Sequence, residues 1–241
     1  MEKQVNISCY LDSTYLKTAV ESGISEIETK EIVINSIKEA IAANFACIMI
    51  RSEFIALAKE LIETSKSKLK VGTVIDFPFG NSTTKQKIAE GKLAIECGAY
   101  DIDYVCDYNA FKRGAFAKFD SDIFEGTRLV LENKKIVKWI IETGALSTDE
   151  IRAIAKRISK LVQYNFPQNA NKVFIKTSTG YYGDYGATVK DVKVIKSVAG
   201  NLQIKASGGI SSLKDCLKMI KAGATRIGTS KAIFIYNEVR K

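Results

Sequence analysis

Eight short apolar runs recur along the chain, each separated from the next by a segment of helical periodicity, and this alternation restricts the fold more than any other feature. The runs are Ile7 to Leu11, Phe45 to Ile50, Leu69 to Ile75, Tyr100 to Val105, Ile136 to Ile141, Lys172 to Lys176, Leu202 to Ala206 and Ala224 to Gly228. Apolar runs of this length, bounded by turn residues, read as buried strands. The segments between them carry helix signals. Ser25-Glu26-Ile27-Glu28 is a capping box ahead of an apolar-periodic stretch reaching Ala43, and Ser147-Thr148-Asp149-Glu150 is another ahead of Ile151 to Val162. Ser211 and Ser212 can cap a helix carrying Cys216 and Met219, while Gly98, Gly200 and Gly223 fall where glycines end helices. Eight strand–helix repeats in 241 residues predict an α/β fold of the (β/α)8, or TIM-barrel, type, with residues 1–241 as a single domain. The rival is a doubly wound open sheet, whose usual mark is a glycine-rich turn after the first strand. Here Asp12-Ser13-Thr14-Tyr15-Leu16 follows, without a glycine.

Composition narrows the chemistry. There is no histidine, which excludes Ser-His and Cys-His nucleophile systems and any histidine-ligated metal site. Proton transfer falls to carboxylates, lysines, tyrosines, cysteines or water. The five cysteines (Cys9, Cys47, Cys97, Cys106, Cys216) lack C-x-x-C spacing and read as small core residues rather than a disulfide framework. The net charge of +9 is spread along helices, as in Lys156-Arg157 and Lys190 to Lys196, instead of forming a basic block interleaved with aromatics. That pattern describes a solvated surface that attracts anionic substrates, not a nucleic-acid partner. No run approaches the roughly 18 apolar residues of a membrane span, and Met1-Glu2-Lys3-Gln4 leads into no signal-peptide core. A cytoplasmic location without membrane partners is the expectation.

Two lysines stand at strand ends, each opening onto a loop of small residues: Phe174-Ile175-Lys176-Thr177-Ser178-Thr179-Gly180 and Ile204-Lys205-Ala206-Ser207-Gly208-Gly209. Either lysine alone could snorkel to solvent. The repeated pattern points instead to a lysine amine made nucleophilic by burial and by a second cation. Its pKa must fall from roughly 10.4 toward 7–8 for that chemistry. In a barrel of this kind the site lies at the carboxyl ends of the strands. Asp12, Asp76, Asp103, Lys138, Lys176 and Lys205 fall there. In Tyr100-Asp101-Ile102-Asp103-Tyr104-Val105, alternation puts Asp101 and Asp103 on one face, and an inward Asp103 needs Lys138, Lys205 or Lys176 as partner. The loops at Thr177 to Gly180, Ser207 to Gly209 and Gly228 to Ser230 let backbone N–H groups approach a phosphate. The residues alone therefore describe a lysine-dependent aldolase of a phosphorylated sugar, and leave open a non-catalytic phosphosugar-binding barrel.

These segments resemble the deoxyribose-phosphate aldolases, a Schiff-base family with a (β/α)8 fold. The likeness runs through Leu11-Asp12-Ser13-Thr14-Tyr15-Leu16, Phe77-Pro78-Phe79-Gly80, Asp101 to Val105, Lys138-Trp139-Ile140-Ile141-Glu142-Thr143-Gly144, the two lysine segments, and Arg226-Ile227-Gly228-Thr229-Ser230. It implies a lyase acting on 2-deoxy-D-ribose 5-phosphate in deoxyribose phosphate catabolism, yielding D-glyceraldehyde 3-phosphate and acetaldehyde, with no metal or cofactor. By position, Lys176 would form the imine, Lys205 would perturb it and help move protons, and Asp103 would relay protons through water. Thr179, Gly180, Gly208, Gly209 and Ser230 would hold the phosphate. Asp12 and Lys138 would form the surrounding polar network. Dimers are common in the family, so a homodimer is implied. The chain departs from the family pattern at Ser13, where a histidine is usual, at Asp76, where a glycine is usual, and at Met49 and Arg51-Ser52 after the second strand.

Overall fold

Strands Leu11–Tyr15 (β1), Cys47–Ile50 (β2), Lys70–Ile75 (β3), Asp101–Val105 (β4), Ile136–Ile140 (β5), Val173–Lys176 (β6), Gln203–Ser207 (β7) and Arg226–Thr229 (β8) pair in parallel and in sequence order. The last pairs with the first, so the sheet closes into the expected (β/α)8 barrel. The computed structural model describes residues 5–239; the charged start at Met1 to Gln4 lies outside them.

Helices cover the outside of the sheet. They are Ala19–Ser22 (α1), Glu26–Ala42 (α2), Ile55–Thr64 (α3), Thr84–Cys97 (α4), Tyr108–Lys112 (α5), Phe116–Glu132 (α6), Thr148–Asn165 (α7), Val189–Lys196 (α8), Leu213–Ala222 (α9) and Ala232–Glu238 (α10). Ser25 and Ser147 close the capping boxes foreseen for α2 and α7, and Ser212 caps α9. No helix among the described residues is long and apolar enough to cross a membrane.

Strand alternation sorts the side chains into two populations. Ile48, Ile102, Tyr104, Trp139, Ile175, Ile204 and Ile227 face outward into the main core beneath the helices. On β4 to β8 the inward positions are largely polar: Asp101, Asp103, Lys138, Lys176 and Lys205 are all buried. On β2 and β3, Cys47, Met49 and Val74 instead form a small apolar cluster with Leu16. The register places Asp103 beside Lys138, Lys176 beside Lys205 and Lys205 beside Arg226.

Two expectations need correction. The first strand is not Ile7 to Leu11: Ile7–Tyr10 is a 3-10 turn, and β1 is the more polar Leu11–Tyr15. Asp12 therefore lies within β1, opposite Gly228 of β8, and not after it. A strand whose inward positions face charges loses its apolar signal, whereas Ile7 carries that signal because it is buried in the turn before it. The cysteines also divide: Cys47, Cys106 and Cys216 are buried, but Cys9 and Cys97 are exposed.

Candidate active site

Asp103 is the hub of the barrel interior. One carboxylate oxygen receives Lys138 Nζ at 2.6 Å, and the other receives both Lys176 Nζ and Lys205 Nζ at 3.0 Å. The convergence expected of Lys176, Lys205 and Asp103 is present, and all three groups are almost completely buried. The lysines are held from below as well. Lys138 lies 2.7 Å from Asp101, and Lys205 lies 2.7 Å from Asp12. Arg226 completes the set by pairing with Asp12 and, at 3.4 Å, with Asp101. Asp12 and Lys138 are both ion-paired within this cluster. Asp101 and Arg226 belong to the same network. Nothing local in the sequence marks Arg226, because its partner Asp12 is brought to it only by closure of the barrel.

Burial and neighbouring charge act in opposition here. Burial disfavours ionised Asp103, but Lys138, Lys205 and Lys176 outweigh it and hold the carboxyl well below the usual carboxylate range. Asp12 is lowered in the same way, with Arg226 as the strongest of its partners. Lys138 is pushed up against its burial by Asp101 and Asp103. Lys176 goes the other way. Burial lowers it, the single contact with Asp103 does not compensate, and Lys205 and Lys138 lower it further, to about 8. A lysine in that range is about a tenth neutral at pH 7 and mostly neutral at pH 9.

Asp12, Cys47 and Asp101 are spaced closely enough to hold a metal ion. Their negative charge is instead met by Lys205, Arg226 and Lys138. Burial, with Asp101 and Asp12 nearby, keeps the Cys47 thiol protonated by pushing it well above its ordinary value. A protonated thiol is a poor metal ligand.

Above the lysines opens a cavity of about 590 Å³. Lys176 and Lys205 line it, as do Thr179, Gly180, Gly208, Gly209 and Ser230. Gly180, Gly208 and Gly209 have φ of 83°, 91° and 72°, the left-handed region open to glycine without a steric penalty. The Lys176-to-Gly180 segment is fixed by the end of β5. Thr143 N donates to Thr177 O at 2.9 Å, and the Thr143 and Ser178 hydroxyls are 3.2 Å apart. Buried Glu142, itself at φ 56°, accepts both the backbone N–H and the hydroxyl of Thr179. Burial raises the Glu142 carboxyl above its ordinary value. Sequence reading passed over Glu142 as a functional residue, although it lies in a quoted motif.

The residues that depart from the family pattern are placed as follows. Asp76 is not among the cavity-lining residues. It adopts φ 54°, which explains a position otherwise suited to glycine, and accepts from Ser82 N at 2.9 Å and Ser82 Oγ at 2.8 Å. Arg51 buttresses the mouth: its Nε donates to Leu16 O at 2.7 Å, and its guanidinium stacks over Phe77, whose ring meets Tyr181 edge-on at 4.9 Å.

No protein-family model matches the chain. Individual relatives do. The deoxyribose-phosphate aldolase of Staphylococcus saprophyticus is 41% identical over 232 residues, 96% of this chain and 96% of that protein. That of Thermococcus gammatolerans is 36% identical over 237 residues, covering 98% and 97%. Among solved structures, the aldolase QR15 superposes with a TM-score of 0.81 at 33% identity, over 98% of this chain and 96% of that one. The tetrameric deoxyribose phosphate aldolase of Aeropyrum pernix gives a TM-score of 0.79 at 26% identity, over 98% and 91%. With a closed barrel, a lysine pair sharing one aspartate and relatives of this similarity over their full length, the chain belongs to the deoxyribose-phosphate aldolase family.

Proposed function

We propose that the protein reversibly cleaves 2-deoxy-D-ribose 5-phosphate to D-glyceraldehyde 3-phosphate and acetaldehyde, with Lys176 as the covalent nucleophile. One observation carries this assignment: a buried lysine lowered to about 8 lies at a cavity whose rim is built from glycine loops. The neutral Lys176 amine adds to the C1 aldehyde, and loss of water gives the iminium. Removal of the C3 hydroxyl proton lets the C2–C3 bond break, its electrons passing to the iminium to leave an enamine and release D-glyceraldehyde 3-phosphate. Protonation at C2 and hydrolysis then free acetaldehyde and the amine.

Asp103, held ionised by three lysines, is too weak a base to keep a proton. It orients Lys176 and Lys205 and passes the C3 hydroxyl proton on through water, while the Lys205 ammonium supplies the proton that C2 gains and is reprotonated from that water. Gly180, Gly208, Gly209, Thr179 and Ser230 receive the phosphate, mainly through backbone N–H groups. A cytoplasmic homodimer is part of the same reading.

Incubation with acetaldehyde and borohydride should leave a reduced two-carbon adduct on Lys176, located by peptide mass spectrometry. An adduct confined to any other lysine overturns the assignment.

Glu142 gives a second check. Glu142→Ala leaves the Thr179 N–H without its acceptor, a loss of about 1–3 kcal/mol of loop order. KM for the phosphorylated substrate should rise about tenfold or more, with a smaller change in kcat. Glu142→Gln, which keeps an acceptor oxygen, should recover most of that KM.

A further inference from the structure

The ionisable groups inside the barrel do not balance. Asp12, Asp101 and Asp103 are the carboxylates; Lys138, Lys176, Lys205 and Arg226 are the bases. They form one connected cage. Arg226 bridges Asp12 and Asp101, Lys205 bridges Asp12 and Asp103, and Lys138 bridges Asp101 and Asp103. Lys176 alone touches a single carboxylate. With every group ionised the cage carries one uncompensated positive charge. An uncompensated buried charge is relieved by neutralising a group rather than tolerated. A guanidinium cannot supply that relief, because it does not lose its proton in proteins. Lys138 has three carboxylates within 4.0 Å and Lys205 has two, so Lys176, with one, is the lysine whose charge is least compensated.

We propose that Arg226 is a positioning residue for catalysis: by pairing with Asp12 and Asp101 as a permanent charge, it makes Lys176 the surplus base, the one that gives up its proton most readily. Without Arg226, the three lysines would match the three carboxylates and Lys176 would hold its proton more tightly. Arg226 lies at the start of β8, beneath the reacting amine, where it contacts carboxylates and the face of Phe174. The groups facing it are Asp12 from β1, Cys47 from β2, Asp101 from β4 and Lys205 from β7; the Cys47 thiol is neutral and does not enter the balance. The groups facing Lys176 are Asp103, Lys138 and Lys205, with Glu142 further off and raised by burial.

This inference rests on Lys176 being the imine-forming residue, and its test separates the two. The measured quantity is the rate at which acetaldehyde and cyanoborohydride label Lys176 as a function of pH, read by mass spectrometry for wild type, Arg226→Met, Asp12→Asn, the double variant and Arg226→Lys. Arg226→Met should move the acid limb of the labelling curve to higher pH, and each whole pH step of that movement should slow labelling at pH 7 about tenfold. Asp12→Asn removes a carboxylate and should move the limb the opposite way. The double variant restores the surplus and should return the limb to the wild-type position, as should the charge-conserving Arg226→Lys. A role confined to packing would not produce opposite displacements that cancel. Coincident limbs in all folded variants, with Lys176 labelled, overturn the role of Arg226 alone. Absence of Lys176 labelling in wild type at every pH overturns the imine assignment as well. If Arg226→Met does not fold, the Asp12→Asn limb and its return in the double variant decide the matter.

Discussion

Lys176→Met is expected to abolish turnover, lowering kcat by about 10⁴-fold or more, as removal of a covalent nucleophile does, and at the same time to raise stability near neutral pH. The second half follows from the same burial that makes the lysine reactive. Lys176 falls from 10.5 to about 8 on folding. Below pH 8 the residue is protonated in both states, and the folded state bears the full penalty of the weakened proton, roughly 3 kcal/mol. Between pH 8 and 10.5 the unfolded chain still binds the proton that the folded one has released, so the penalty shrinks as pH rises. Methionine matches the stem and removes the charge. The melting temperature of Lys176→Met should therefore exceed that of wild type most clearly at pH 7, and the gap should close as the pH approaches 10.5. Calorimetry across pH reads the gap, and an aldol-cleavage assay reads the loss. A variant with near-wild-type kcat, or one less stable than wild type at pH 7, contradicts this account.

Asp103→Asn should damage both fold and reaction. Lys138, Lys176 and Lys205 lose the carboxylate they share, and only Asp12 and Asp101 remain to oppose them. Removing one partner from a buried ionic network costs about 3–5 kcal/mol, so the denaturation midpoint should fall markedly. Some of that loss is relieved by deprotonating Lys176, which keeps the amine reactive toward acetaldehyde while the orientation needed for proton movement is gone. The expected pattern is kcat reduced by about 10²–10⁴ with Lys176 labelling retained. An activity within tenfold of wild type would show that Asp103 does not organise the reacting groups.

The barrel was legible in the sequence because outward strand residues must bury against helices, and Ile102, Tyr104, Trp139, Ile175 and Ile204 do so at period two. The lysine pair was legible because each lysine closes an apolar run in the sequence; Lys176 does end β6, whereas Lys205 lies in the middle of β7. β1 was misplaced because its inward residues face charge and its apolar neighbours at Ile7 and Leu11 belong to a turn and to its first position. Arg226 stands within the eighth apolar run and in the family-like segment, and neither gives it a role. Its role depends on Asp12, 214 positions away, and no local pattern encodes that contact. Glu142 was hidden for a different reason: its left-handed backbone turns the carboxylate onto Thr179, and a dihedral angle of that sign has no signature in a non-glycine residue.

The short span from Lys176 to Gly180, tied at Thr177, Ser178 and Thr179 to the end of β5, acts as a ruler. In the reaction proposed above, one end would capture the carbonyl carbon and the other would hold the phosphate, and the backbone between them has little slack. Chain length in the sugar is then gauged by main-chain geometry, independently of the side chains at the rim. Exchanges at Tyr181 or Arg51 would reshape the entrance without recalibrating that gauge. Accepting a substrate one carbon longer would require a residue inserted between the marks.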